Sequence, residues 1–127
     1  MDQEHFITAI KMVVHDASIQ GIETTLSRPS GRKPYKKLKE LSAWFNGLPE
    51  SDKKNTLEII RLSVHASILN MLSVVDGVIA IESTPDKGEI KLSFVKDGKP
   101  TPLNDSNADQ LHDIYQSQVQ GEVFGIE

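Results

Sequence analysis

The sequence predicts an α+β domain in which helices pack against one face of a small antiparallel sheet. Apolar residues recur at helical spacing before residue 76, and after Gly77 they alternate at every second position. The chain has 127 residues, 38% of them apolar and 25% charged, which is typical of one globular domain, 1–127. We expect three N-terminal helices, the third long and central, then a β-hairpin or three-stranded meander, and one C-terminal helix.

Three features predict the first two helices and the loop between them. Up to about residue 26, the apolar residues form one stripe along a predicted helix. His5 and His15 fall outside this stripe, so we expect both histidines to be exposed. The stripe consists of Phe6, Ile7, Ile10, Val13, Val14 and Ala17. Residues 27–34, SRPSGRKP, have no apolar side chain and predict a basic loop over 28–35. A short helix over about 36–46 should end at Gly47 and Pro49.

The third helix should begin at Ser51 as its cap and end near Val75, where Asp76-Gly77 follows. Its apolar residues occupy two faces. A helix that is apolar on two sides needs cover on two sides, so we expect its neighbours to wrap it and to leave no reaction cleft along it.

The β segment is predicted from alternation and turns. Residues 78–83 and 90–95 alternate and are joined by TPDKGE, which predicts a hairpin. Asp97-Gly98 is a strong turn pair, so 99–103 should return as a short edge strand. A final helix should run from Asp105 or Ser106 to about Gln118, with a loose tail over 120–127.

Charge is distributed unevenly along the chain. The net charge is −4, yet residues 28–39 carry +6 and residues 100–127 carry −5. Opposite charges concentrated in this way predict contact surfaces for a partner. The candidate partner-binding residues are Arg28, Arg32, Lys33, Lys36, Lys37, Asp105, Asp109 and Asp113.

Several classes of protein are excluded or disfavoured by composition. The absence of cysteine excludes disulfides, thiolate catalysis and cysteine-ligated zinc. No apolar run approaches the ~18 residues that span a bilayer, and the N-terminus lacks the basic flank of a signal peptide. We therefore expect a cytoplasmic protein that makes no membrane contact.

No nucleophile elbow, P-loop or dinucleotide fingerprint is present, so any catalytic chemistry would centre on histidine. Among the four histidines, His65 and His112 are the pair that could converge, with Asp113 or Asp16, as a metal or proton-transfer site. The alternative is that both are hydrogen-bonded residues at the rim of the core, and we expect this second arrangement. We accordingly predict no catalytic residue, metal or cofactor.

Three short pieces carry a resemblance to a family, namely Val75-Asp76-Gly77, Leu103-Asn104-Asp105 and Leu111-His112-Asp113. The stretch containing them, about 57–118, resembles small, mostly uncharacterised bacterial proteins, some of which look like immunity proteins of polymorphic toxin systems. The resemblance implies stoichiometric binding of a partner protein, with the acidic last helix as a mask for a basic toxin site.

The expected function is non-enzymatic binding of a protein partner, or self-association, through charged surfaces. Two alternatives remain open at this point. One is a nucleic-acid-associated regulator that uses the basic segment 28–39. The other is a metal-dependent hydrolase that uses His65, His112 and Asp113.

Overall fold

The computed structural model describes residues 1–105 and 108–125 and is α+β, as predicted. The helical elements and strands follow in chain order: α1 (Gln3–Ile10), a π-helical segment (Lys11–Asp16), α2 (Ala17–Ser27), α3 (Lys36–Asn46), α4 (Glu50–Val75), β1 (Ser93–Lys96), β2 (Lys99–Pro102) and α5 (Leu111–Phe124). The first three elements are continuous and form one N-terminal rod. Residues 28–35 connect α2 to α3 without helix or strand.

The N-terminal rod departs from the predicted apolar stripe at its π-helical segment. Val13 is 66% exposed and Val14 is also exposed, whereas His15 is completely buried. The expectation that His15 is exposed is therefore wrong. The physical reason is the i→i+5 hydrogen bonding of a π-segment, which widens the turn and rotates the residues that follow relative to an ideal α-helix.

Helices α3 and α4 lie close to their predicted bounds. Helix α3 spans Lys36–Asn46, and α4 spans Glu50–Val75, with Asp76 as its C-cap. The predicted Ser51 cap is wrong because the N-cap is Pro49, two residues earlier, and α4 begins at Glu50. Gly77 has φ +79°, a left-handed conformation that glycine adopts without steric cost and that ends the helix.

Helix α4 is covered over only part of its length. Its buried residues are His65, Leu72, Ser73 and Val75, whereas Ile59 and Leu62 are exposed. The prediction of a helix wrapped on both sides is therefore wrong. A 26-residue helix is ~39 Å long, and the 14-residue α5 beside it is ~21 Å, so α5 cannot cover both ends.

Among the described residues, α4 is also the one helix long and apolar enough to cross a membrane by length and composition. One such helix is weak evidence for a membrane protein, and only 17% of its most apolar 18-residue window is buried.

The sheet contains two antiparallel strands, with Ser93 opposite Pro102 and Lys96 opposite Lys99. The Asp97-Gly98 turn is confirmed, and both residues have positive φ. The predicted strand over 78–83 and the three-stranded meander are wrong. The N–H groups of Val78 and Ile79 donate to the Ser73 carbonyl at 2.9 and 3.2 Å, which extends the end of α4 instead of forming a strand.

The C-terminal helix lies later in the chain than predicted. Helix α5 spans Leu111–Phe124, so Asp105 and Asp109 precede it, and the alternative start at Ser106 lies outside the described residues. Residues 120–124 are helical and Val123 is buried, so this part of the predicted loose tail is wrong. Residues 126–127 lie outside the described part of the chain.

The core forms where α5 packs against α1 and the C-terminal half of α4. Leu103, just beyond β2, is inserted there, and Leu92 and Phe94 of the sheet region contact the edge of the core. Its buried members are Ile7, Leu72, Val75, Leu103, Leu111, Ile114, Tyr115, Val119 and Val123. Helix α3 is outside this cluster and packs mainly on α2.

Candidate functional site

Two histidines meet a tyrosine inside the protein. The Nδ1 atom of His15 and the hydroxyl of Tyr115 are joined by a hydrogen bond of 2.7 Å. The ring of His65 stacks on Tyr115 with centroids 5.5 Å apart and contacts Phe124 edge to face. Because all three polar rings are buried, burial lowers the pKa of both histidines and raises that of Tyr115.

An ionic group lies beside this pair of histidines, at the junction of the π-helical segment and α5. The Nζ atom of Lys11 lies 3.1 Å from Asp16 Oδ2 and 2.9 Å from Glu122 Oε1. The hydrogen bond with Glu122, opposed by burial and assisted by Asp16, raises the pKa of Lys11. Lys11 and Asp16 are five residues apart, a spacing that the i→i+5 geometry of the π-segment brings together.

The second imidazole nitrogen of His15 faces these carboxylates without reaching them. Its Nε2 atom lies 3.7 Å from Glu122 Oε2 and 3.9 Å from Asp16 Oδ1. Nε2 is buried and has no hydrogen-bond partner among the described residues. Single ligand atoms of His15, Asp16 and Glu122 lie within 4.8 Å of one another, so these are the residues that could hold a metal ion.

A separate histidine–carboxylate pair joins α4 to α5. Asp76 Oδ2 accepts from the backbone N–H of His112 at 2.8 Å and lies 2.7 Å from His112 Nδ1. The Asp76 side chain is only 2% exposed. A carboxylate at the N-terminal turn of a helix is favoured by the helix dipole, so this pair fixes the start of α5 against the end of α4.

Asn104 reinforces the same junction. Its amide nitrogen donates to the carbonyls of Val75 and Ile90 at 2.9 and 2.5 Å, and its Oδ1 accepts from Leu92 N–H at 2.9 Å. The three sequence pieces that carry the family resemblance therefore meet at one place through Asp76, Asn104 and His112. Their contacts account for a structural role there.

A cleft of about 460 Å³ lies beside this junction, lined in part by Asp76, Asn104 and Gln110. His112 Nε2 lies 3.4 Å from Oδ1 of Asp113, whose side chain is 71% exposed. The ring of His112 is held through Nδ1 by Asp76, which fixes its orientation at the junction of α4 and α5.

His65 and His112 therefore have separate partners, and no hydrogen bond or ring contact joins them within the described residues. The arrangement that the hydrolase alternative requires, with His65, His112 and Asp113 converging, is not formed. His5 is exposed, and its Nδ1 atom lies 2.8 Å from Asp2 Oδ1.

The basic segment forms an exposed cationic surface that continues onto α3. Lys36 lies 3.8 Å from Glu40, and no other member has an ion-pair partner among residues 1–105 and 108–125. Tyr35 and Trp44 are 81% and 54% exposed, and Leu41 is also exposed. We call this surface the α3 face; its cations are Arg28, Arg32, Lys33, Lys36, Lys37 and Lys39, all exposed.

The predicted acidic residues also lie at the surface. Glu4, Asp109 and Asp113 line a shallow cleft of about 380 Å³ between α1 and α5. Asp105 is exposed. Because α5 begins at Leu111, Asp105 and Asp109 precede the helix and Asp113 alone lies on it, so the three do not form the acidic helix that the resemblance implies.

Sequence reasoning missed the group formed by His15, Asp16 and Glu122. The α-helical period places His15 away from the core, and Glu122 falls in the segment that we predicted to be a loose tail. The α-helical period does not reveal the π-segment, so no sequence signal identified this group.

The chain was compared with family models, curated proteins and solved structures. None of the three comparisons produced a match.

Proposed function

We propose that the protein is a non-enzymatic, cytoplasmic bacterial binding protein, immunity-like in its mode of action, that binds an acidic surface of a protein partner through the α3 face. The observation that carries the proposal is that exposed cations, five of them without an ion-pair partner among the described residues, occur in the same segment of the chain as exposed Tyr35, Leu41 and Trp44. Tyrosine, tryptophan and arginine dominate the energetics of protein interfaces.

The chain exposes more surface than a compact monomer of its mass, and residues 77–91 contribute to this surface together with the α3 face. The accessible surface is 9061 Å². A compact monomer of 14.1 kDa typically exposes roughly 6,700 Å², about a quarter less. The difference exceeds the surface that one partner contributes to a standard interface, roughly 800 Å².

The charge balance favours a protein partner over nucleic acid. The whole chain is at −4, and carboxylates such as Glu4, Asp109 and Asp113 gather on another surface. Phosphate backbones are repelled by such a charge distribution away from the contact, whereas a protein with a localised acidic patch is attracted to the α3 face.

The proposal can be tested by affinity capture from the source cell on the untagged, immobilised full chain. Wild type should retain one protein in an equimolar amount. The double variant Lys36→Glu/Lys37→Glu should lose it, and Trp44→Ala should retain much less. Lys96→Glu/Lys99→Glu is the matched control, since it reverses two exposed lysines on the hairpin and should retain the partner fully.

The purified partner then gives the kinetics. Lys36→Glu/Lys37→Glu should slow association more than it changes dissociation, and association should slow as salt rises. Retention that nuclease abolishes would favour the nucleic-acid regulator instead. Sedimentation at low and high salt would reveal the other alternative, self-association of two copies through opposite charges.

A further inference from the structure

The packing around His15 creates a nitrogen ligand that the fold leaves unused. Its Nδ1 atom is held by Tyr115 at 2.7 Å, which fixes the orientation of the ring. In the tautomer that carries its proton on Nδ1, the Nε2 lone pair faces Asp16 and Glu122. Metal-binding histidines are typically oriented in this way, by a hydrogen bond from the nitrogen that does not ligate.

The observation that distinguishes this group from an ordinary acidic cluster is the state of Nε2. The side chain of His15 is 1% exposed, and Nε2 has no hydrogen-bond partner in the described residues. A buried polar atom without a partner calls for an explanation such as a bound ion. The π-segment that directs His15 inward is itself a feature found frequently at functional sites.

Access and charge are also suitable for an ion. The side chains of Asp16 and Glu122 are 45% and 51% exposed, so an ion can enter from solvent and water can complete its coordination. Lys11 now bridges the two carboxylates and holds them together. The oxygens nearest Nε2 are the other ones, Asp16 Oδ1 and Glu122 Oε2, so a divalent cation would compete with this ammonium for the same two carboxylate groups.

We infer that His15, Asp16 and Glu122 form a binding site for a divalent transition-metal ion, of which Zn²⁺ is the best fit. One imidazole and two carboxylates are a mixed nitrogen and oxygen donor set, which suits Zn²⁺ better than Ca²⁺ or Mg²⁺, since these prefer oxygen alone. Three protein ligands and a water make up the common open zinc site.

The test is calorimetric titration of the untagged full chain with Zn²⁺ after chelator treatment and dialysis into metal-free buffer. Wild type should bind one equivalent. Glu122→Gln and Asp16→Asn keep the side-chain shape, and each should weaken binding at least about tenfold, because even the loss of outer-shell partners costs about that much. His5→Gln is the control for adventitious binding at the exposed His5–Asp2 pair and should change nothing.

The Lys11→Met variant distinguishes a metal site from a purely structural ionic group. Removal of the competing ammonium should tighten Zn²⁺ binding, whereas a purely structural role for the ionic group predicts lower thermal stability and no gain in affinity. Bound Co²⁺ should give a visible absorption spectrum that disappears in Glu122→Gln.

Three results would overturn the inference. The first is wild-type binding weaker than about 1 mM. The second is equal Zn²⁺ affinity in wild type, Asp16→Asn and Glu122→Gln, and the third is a Lys11→Met variant that binds no more tightly than wild type. If a carboxylate variant fails to fold by circular dichroism, the Lys11→Met affinity still decides the question.

Discussion

The two ends of α4 differ in their packing although both are rich in apolar residues. Toward its C-terminus, Leu72 and Val75 are buried against α5 in the main core. Toward its N-terminus, Ile59 and Leu62 remain 63% and 43% exposed. One end of this helix therefore stabilises the domain, whereas apolar side chains at its other end remain exposed to solvent.

The largest effect should come from truncation in the α5 core. Leu111 is completely buried, so Leu111→Ala should lower the free energy of unfolding by about 2–5 kcal/mol. Ile59→Ala, at the exposed end of α4, should change it by less than about 0.5 kcal/mol. Urea unfolding followed by circular dichroism measures both, and equal losses would contradict the contrast between the two ends.

The junction of α4 with α5 should show the next effect. Asp76→Ala removes the acceptor for both the backbone N–H and the ring of His112, so we expect a loss of about 1–3 kcal/mol in the free energy of unfolding. Asp113→Ala is the control, since that carboxylate is 71% exposed. An Asp76 variant as stable as the control would show that the junction contributes nothing to folding.

Acid should lower the free energy of unfolding, because His15 and His65 are buried in the folded protein. Burial lowers the pKa of His15 and His65 below the ordinary value of 6.5 in the folded state; Asp16 and Glu122 oppose the shift at His15 and Gln116 opposes it at His65. Below pH 6.5 the unfolded chain therefore binds more protons than the folded chain, and stability falls as pH falls.

For each histidine, the free energy of unfolding should change by at most about 1.4 kcal/mol per pH unit. Urea midpoints between pH 7.5 and 5.5, measured with chelator present, should fall, and His65→Gln should fall less steeply. A flat profile for wild type would mean that these imidazoles keep their ordinary pKa when the protein is folded.

The smallest effect on folding should accompany a change on the α3 face. Trp44 is 54% exposed, so Trp44→Ala should alter the free energy of unfolding by less than about 0.5 kcal/mol while greatly reducing partner binding. Thermal melts and binding to the captured partner give the two values. A strongly destabilised variant would instead place Trp44 in the folding core.

The sequence predicted the ends of α3 and α4, because these ends depend on residues that stand next to them in the chain. Gly47 and Pro49 mark the end of α3, and Asp76-Gly77 marks the end of α4, because glycine and proline act on the backbone where they stand. The Asp97-Gly98 turn is predictable for the same reason.

The features that were missed depend on contacts between distant parts of the chain. The burial of His15 requires a π-segment that the α-helical period does not reveal, and Tyr115 lies 100 residues away from it. The segment predicted as a strand over 78–83 stays unpaired, while Asn104 occupies backbone groups of Ile90 and Leu92. Alternation indicates which residues share a face, but it does not select the pairing partner.

Amide hydrogen exchange with mass spectrometry, on the free protein and on its complex with the captured partner, locates the binding surface. We expect residues 28–46 to become protected on binding and α5 to exchange slowly in both samples. New protection confined to α5 and the Glu4–Asp109–Asp113 cleft, with no change at the α3 face, would contradict this expectation.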